Sequence, residues 1–216
     1  MENFNRFIAK LKKQLRKPLP GKEAHLKMAS RARLNELKGK YDTSSAKQSS
    51  VLILLYPFKA SVFTVLMKRN SYNGVHSGQI SFPGGSHEKS DGSFIETALR
   101  EANEEVGILP ENVKIIGELS DMYIPPSNFM VHPIVGFSKE KPHLIPDATE
   151  VAQIIEANLT AIFNETDFKE MELDVRGHKI KTPCYNVNGH VVWGATAMML
   201  SELNEVVLRM DNNWTN

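Results

Sequence analysis

Phe4, Phe7, Ile8, Leu11 and Leu15 recur at three- and four-residue intervals, with Arg6, Lys10, Lys12, Lys13 and Arg16 among them. That spacing places the apolar side chains on one face of a helix. Pro18 and Pro20 end it, because proline supplies no amide proton and its ring clashes with the preceding turn. A second helical stretch is predicted over about residues 22–38. From Val51 the period shortens to that of strands: VLILLY (51–56), SVFTVLM (61–67), QISF (79–82), VKIIGEL (113–119) and VHPIVGF (131–137) are short runs rich in β-branched and aromatic residues. DFKEMELDVR and HKIKTPCYNV meet around Gly177 and predict a β-hairpin. Two further helices are predicted at 94–106 and 195–210. In the second, Met199, Leu203, Val206 and Met210 form a stripe that reads as core, and Trp193 opens the helix. No internal repeat is present.

The helix at 94–106 is the most clearly punctuated. Ser93 and Glu96 fit a capping box, and Gly107 stands where a left-handed cap is wanted. Leu99, Ala102 and Val106 would form its buried stripe. Glu101, Glu104 and Glu105 share another face, expected to be open to water. Like charges at i, i+3 and i+4 cost a few tenths of a kcal/mol per pair, about 0.2–0.5. Either this is a solvated acidic surface balanced by Arg100, or it holds a cation. FPGG at 82–85 favours the cation, since its two glycines let backbone approach a metal or phosphate closely.

Composition narrows the setting. The chain has 216 residues, 41% hydrophobic and 24% charged, which fits one folded domain over 1–216 and excludes disordered and low-complexity classes. Its net charge of +1 gives no global reason to expect nucleic acid or membrane. The charge is uneven, however. Residues 1–40 hold 12 Lys/Arg against 3 Asp/Glu, so a basic helical segment, about 1–48, precedes an acidic body. A membrane-surface or acidic-partner role is one reading of that segment; an ordinary helix packed on the domain is the favoured one, because its apolar stripe is modest. The single cysteine, Cys184, forms no internal disulfide and is expected to be buried. With no apolar signal-peptide core and no long apolar run, a cytoplasmic protein is expected.

HSGQISFPGGSHEKSDGSFIETALREANEEVGI, residues 76–108, resembles the Nudix box: a glycine, five residues, a glutamate, seven residues, then REUxEExGU with U aliphatic. REANEEVGI (100–108) matches the second half throughout. Counting back from Arg100, the box expects glycine and glutamate where this chain has Ser86 and Gly92, whereas Gly85 and Asp91 keep the internal spacing one residue earlier. That offset is similar to the coenzyme A pyrophosphatase branch, and LMKRNSYNGVHSGQISFPGG (66–85) approximates its additional motif. Asn73 and Gly74 replace a Leu-Arg pair there. PLPGKEAHLKM (18–28), PPSNF (125–129) and HVVWGATAMML (190–200) extend the likeness over most of the chain.

The resemblance implies an α/β fold: a Nudix-type α/β/α sandwich with a mixed sheet and a catalytic loop-helix-loop. It implies hydrolysis of a diphosphate bond, for coenzyme A yielding adenosine 3′,5′-bisphosphate and 4′-phosphopantetheine, with Mg²⁺ or Mn²⁺. Glu101, Glu104, Glu105 and the Gly85 carbonyl would be metal ligands, and Arg100 would orient the carboxylates. The general base would be Glu104 or Glu150. Arg69, His76, Gln79, Gly84 and Gly85 would meet substrate, while Tyr72, Tyr123, Phe129 and Trp193 are candidate walls for adenine. The expected partner is a small nucleoside diphosphate of the coenzyme A type, with a homodimer left open. The alternatives are another nucleoside diphosphate derivative, such as ADP-ribose or a dinucleotide, and a Nudix-like regulator that binds nucleotide without turnover.

Overall fold

The computed structural model describes residues 2–36, 41–71, 78–164, 169–175 and 177–210. Helices α1 (Glu2–Leu15), α2 (Lys22–Lys27) and α3 (Arg31–Glu36) come first, so the second predicted helix is broken at Met28–Ser30. Strands β1 (Lys47–Phe58), β2 (Ser61–Arg69), β3 (Ile80–Ser81) and β4 (Gly84–Ser86) lead into α4 (Phe94–Val106). Then come β5 (Lys114–Glu118), β6 (Met122–Ile124), β7 (Phe129–Phe137), β8 (Val151–Asn158) and α5 (Leu159–Asn164). The chain continues through β9 (Lys169–Val175), β10 (His178–Val187), β11 (His190–Val192) and α6 (Gly194–Leu208).

Strands β1 to β8 build one mixed sheet. Its spine runs β3-β2-β1-β7-β5, with β4 paired to β1, β6 to β7 and β8 to β2. The β1/β7 pair is parallel and the remaining ladders are antiparallel. The hairpin predicted around Gly177 is β9/β10, extended by β11 into a separate three-stranded sheet.

Alternation along β1 sorts the layers. Leu52, Leu54 and Tyr56 face Ala98, Ala102 and Val106 of α4, whereas Ile53 and Leu55 face the other side, where α1 and α6 lie. The result is the expected α/β/α sandwich, with α4 on one face of the sheet. The stripe of α1 is core: Phe4, Phe7, Ile8, Leu11 and Leu15 are all buried, and the Phe4 ring lies 6.2 Å from that of Phe137. A membrane-surface role for α1 would need that same apolar face. Among the described residues no helix is long and apolar enough to cross a membrane. The stripe of α6 is buried, as its spacing predicts, and so is Cys184, as expected.

A buried carboxylate fastens the basic segment to this face. Glu202 of α6, 0% exposed, accepts from the Gly21 amide (3.0 Å) and the Ser120 hydroxyl (2.6 Å) and pairs with His25 Nε2 (2.8 Å). Ser201 donates to the Ala24 carbonyl, and Arg209 to that of Pro18. Burial alone would push the Glu202 carboxyl up, but these donors outweigh it and hold the group below its ordinary value.

Leu11→Ala should therefore lower unfolding free energy by about 2–5 kcal/mol, measured by urea denaturation, since Leu11 is fully buried. Glu202→Gln should destabilise by about 1–3 kcal/mol at pH 7 through imperfectly matched buried donors. Because the folded carboxyl is depressed, its contribution is present above the unfolded value near 4.5 and is lost as pH falls through the folded value. The gap between wild type and variant in denaturation midpoint should narrow below about pH 4.5.

Candidate active site

Helix α4 begins where Ser93, in extended conformation, accepts the Glu96 amide through its hydroxyl. The Glu96 carboxylate reaches back to the Gly92 amide (2.9 Å), one residue ahead of the amide the capping box would use. Gly107 ends the helix at φ 74°, and a Cβ there would sit 3.2 Å from Ile145. The buried stripe is Ala98, Ala102 and Val106; Leu99 is only half-buried, a correction to the predicted face. The rotated stripe matters. Glu105 lies seven residues after Ala98 and three after Ala102, so it turns inward with them.

Glu105 is 2% exposed, which overturns the expectation of an open acidic face. Its Oε2 accepts the Gly84 amide at 2.7 Å. Its Oε1 lies 3.1 Å from Arg69 Nη1 as an ion pair, but is buried and makes no hydrogen bond. Burial pushes the Glu105 carboxyl up to about 7 against the lowering pull of Arg69 and the Gly84 amide, with Glu101 and Glu150 adding to the rise.

Arg100 organises the opposite edge of the cluster. Its five donors make five hydrogen bonds: two to Asp91 (2.9 and 3.0 Å), one each to Glu101 and Glu104 (3.0 Å each), and one to the Ser86 carbonyl (3.0 Å). The guanidinium holds the Asp91 carboxyl well below the ordinary carboxylate range. Asp91 also accepts from Thr97, and Thr97 contacts His87. The one-residue offset seen in the sequence thus has a structural outcome: Asp91 is the acid that holds Arg100. Glu101 is raised by burial, which the neighbouring Arg100 partly offsets. Glu104 is the exposed member, with 58% of its side chain accessible.

Glu150, a strand-edge residue ahead of β8, joins the same region. Its carboxylate lies 3.6 Å from Arg69 and contributes to the rise of both Glu101 and Glu105. The loop before it is tied to the end of α4 through Ile145 N to Val106 O (3.0 Å) and Asp147 N to Glu105 O (2.9 Å). The Asn70 amide donates to the Glu150 carbonyl, and the Arg69 amide to that of Gln79. Arg69 and Gly84, expected to meet substrate, are thus engaged with glutamates. Gln79 adjoins Arg69. His76, Tyr72, Asn73 and Gly74 lie outside the described residues.

Two observations fit a divalent cation. Glu105 Oε1 is a buried carboxyl oxygen that makes no hydrogen bond, and Gly85 is pressed so close that a Cβ there would stand 2.5 Å from the Glu101 carboxylate. Among the described residues no group of three or more His, Cys, Asp or Glu side chains is already placed to hold a metal ion. Arg100 draws Glu101 and Glu104 to itself while Arg69 holds Glu105, so loading an ion means exchanging guanidinium contacts for metal contacts. Sequence reasoning missed the Gly84 and Arg69 contacts to Glu105, and it passed over His132. That ring stacks on Phe94 at 3.6 Å and bridges Asp121 and Gln48. Only the spacing of Asp91 pointed to any of these supports.

The NUDIX domain family matches this chain over residues 46–172. A Nudix hydrolase, NudL, of Pectobacterium atrosepticum is 35% identical over 163 residues, covering 73% of this chain and 81% of its own. NudL of Enterobacter sp. strain 638 is 35% identical over 178 residues, covering 81% and 90%. Both relatives are described as uncharacterized. Among solved structures, the Nudix hydrolase RenU of M. smegmatis superposes with a TM-score of 0.54 at 15% identity, covering 77% of this chain and 88% of its own. A MutT/nudix family protein of Enterococcus faecalis gives 0.51 at 18%, covering 85% and 72%. These last two likenesses speak for the fold, and the sequence matches for the lineage: the chain belongs to the Nudix hydrolase family.

Proposed function

We propose that the protein hydrolyses the diphosphate bond of coenzyme A or a derivative, with Mg²⁺ or Mn²⁺, giving adenosine 3′,5′-bisphosphate and 4′-phosphopantetheine. The observation that carries the hydrolytic reading is the buried Glu105 oxygen without a hydrogen bond, set beside Glu101 under Gly85. The substrate rests on residues 66–85, which resemble the coenzyme A pyrophosphatase motif.

Glu101, Glu105 and Glu104, with the Gly85 carbonyl, would hold the metal. A bound divalent cation neutralises diphosphate charge and lowers the pKa of water. Arg100, fixed by Asp91, orients Glu101 and Glu104. Arg69 balances Glu105 and Glu150, which keeps Glu150 beside the cluster as the general base; Glu104, the most exposed acid, is the alternative. Gln79, and His76 by its place in the sequence ahead of FPGG, would contact the substrate phosphates. Asn73 and Gly74, standing where the motif has Leu-Arg, favour one second reading: the same chemistry on ADP-ribose or a dinucleotide. The full set of glutamates speaks against a regulator without turnover.

Incubation with coenzyme A, ADP-ribose and diadenosine polyphosphates in Mg²⁺ or Mn²⁺, with an EDTA control and chromatographic product analysis, tests the reading. Metal-dependent 4′-phosphopantetheine is expected. Turnover of another diphosphate alone would overturn the coenzyme A assignment, and binding without any turnover would overturn hydrolysis. Glu105→Gln should cut kcat by at least about a hundredfold through lost metal positioning. Its melting temperature should change little, because the variant removes a poorly compensated buried charge and leaves Arg69 its contact with Glu150. Wild-type turnover by this variant would remove Glu105 from the metal site.

A further inference from the structure

Glu150, the base in the reading above, has 56% of its side chain accessible, and its carboxylate meets Arg69 at 3.6 Å, too long for a hydrogen bond. A catalytic group has to be held within about 0.5 Å of its working position. For Glu150 that precision has to come from the main chain. One device is a break in the β2/β8 ladder: Lys68 faces Gln153 and Arg69 faces Val151, so Ala152 has no opposite residue. In an unbroken strand Val151 and Ile154, three positions apart, would point to opposite sides of the sheet. Here both pack in the cluster that faces α4. The extra residue shifts the phase of the strand and re-aims what precedes it, Glu150 included.

The second device is Asn70, the residue after β2. Its main-chain amide donates to the Glu150 carbonyl (2.8 Å), its side-chain Nδ2 donates to the Ala148 carbonyl (2.9 Å), and its own carbonyl accepts the Gly78 amide (3.4 Å). From the other side the Asp147 amide donates to the Glu105 carbonyl (2.9 Å), and the Asp147 carbonyl accepts the amides of Glu150 (3.2 Å) and Val151 (2.8 Å). Asp147 Oδ1 closes the turn by accepting the Thr149 amide (2.7 Å) and hydroxyl (2.6 Å). The turn at 147–150 is therefore bonded within itself and held at both ends, by α4 and by Asn70. The anchor to α4 joins main chain to main chain, and any residue but proline could make it. The anchor at Ala148 depends on the Asn70 side chain.

We propose that Asn70 is a positioning residue for the reaction: by holding the Ala148 carbonyl it fixes the turn that presents the Glu150 carboxylate to the attacking water. The inference rests on the diphosphatase reading above, with Glu150 as its base. Asn70 acts through Glu150 and touches neither metal nor diphosphate. Its loss should slow the chemical step while sparing the binding of both.

Hydrogen exchange and a double-mutant cycle test the clamp. In the full chain Asn70→Ala should raise amide exchange over residues 147–151 at least about tenfold and leave that of α4 unaltered, which also shows that the variant is folded. With coenzyme A, or ADP-ribose should that be the substrate, at saturating Mn²⁺, Asn70→Ala should lower kcat about tenfold while KM and the Mn²⁺ dissociation constant change less than about twofold. Asn70→Asp, which keeps the shape but has no donor for the Ala148 carbonyl when ionised, should match it. Glu150→Gln should itself cut kcat about a hundredfold, and in that background Asn70→Ala should cost nothing more. Unchanged exchange overturns the proposal, as does a loss that persists beside Glu150→Gln or one that falls on KM instead of kcat. Wild-type turnover by Glu150→Gln overturns it too and leaves hydrolysis standing with another base. Faster exchange over 147–151 in a protein that hydrolyses no diphosphate sinks the hydrolase reading and leaves the clamp as a structural joint.

Discussion

A carboxylate taken out of water has to be met by donors or it holds its proton, and Glu202 and Glu105, the most buried acids among the described residues, stand one on each face of the sheet. Glu202 meets the Gly21 amide, the Ser120 hydroxyl and His25, and ends with its pKa below the ordinary value. Glu105 meets one amide and an ion pair without hydrogen-bond geometry, and is raised to about 7. The difference is one of donors rather than depth. Glu202 is a finished structural joint, while Glu105 keeps an oxygen in reserve. Around that reserve the chain has arranged Gly84 in β4, Arg69 at the end of β2 and the loop that Asp147 ties to α4.

Arg100 explains how so much acid is tolerated on the other side. Three carboxylates and a carbonyl converge on one guanidinium, and the most firmly held of them, Asp91, comes from the loop rather than the helix. The loop from Gly84 to Gly92 is thereby fastened at several points: β4 pairs with β1, Ser86 bonds Arg100, and Asp91 bonds Arg100 and Thr97. Its glycines allow the close approach. Gly84 stands where a Cβ would meet the Ser50 carbonyl at 2.3 Å, and Gly85 where one would meet Glu101.

Periodicity and punctuation alone disclosed much of this. The stripe of α1, the caps of α4, the strands from Val51 to Phe137 and the hairpin at Gly177 follow from local chemistry that a sequence displays directly. What escaped was set by partners far along the chain. β6 and β11, three residues each, and β8, whose residues are mixed in burial, carry too little periodic signal of their own and exist because β7, β10 and β2 pair with them. The glutamate triplet was visible, but not that Ala98 would be fully buried and Leu99 only half-buried against the same cluster, a rotation of the helix that brings Glu105 inward. Arg69 and Glu150 are 36 and 45 residues from Glu105, so their meeting is a property of the ladders and not of any motif.

The contacts between α1, α2 and α6 join residues nearly two hundred positions apart. On a ribosome, the basic amphipathic helix emerges well before the helix that shelters it. Until α6 is made, Phe4, Phe7, Ile8 and Leu11 have no α6 to lie beside, and loop closure over that distance is slow. The same helix that is an inert core element in the finished protein is thus a sticky, positively charged surface in the nascent one. Arg6, Lys12 and Lys13 on its outer face suit that waiting surface to water until α6 arrives.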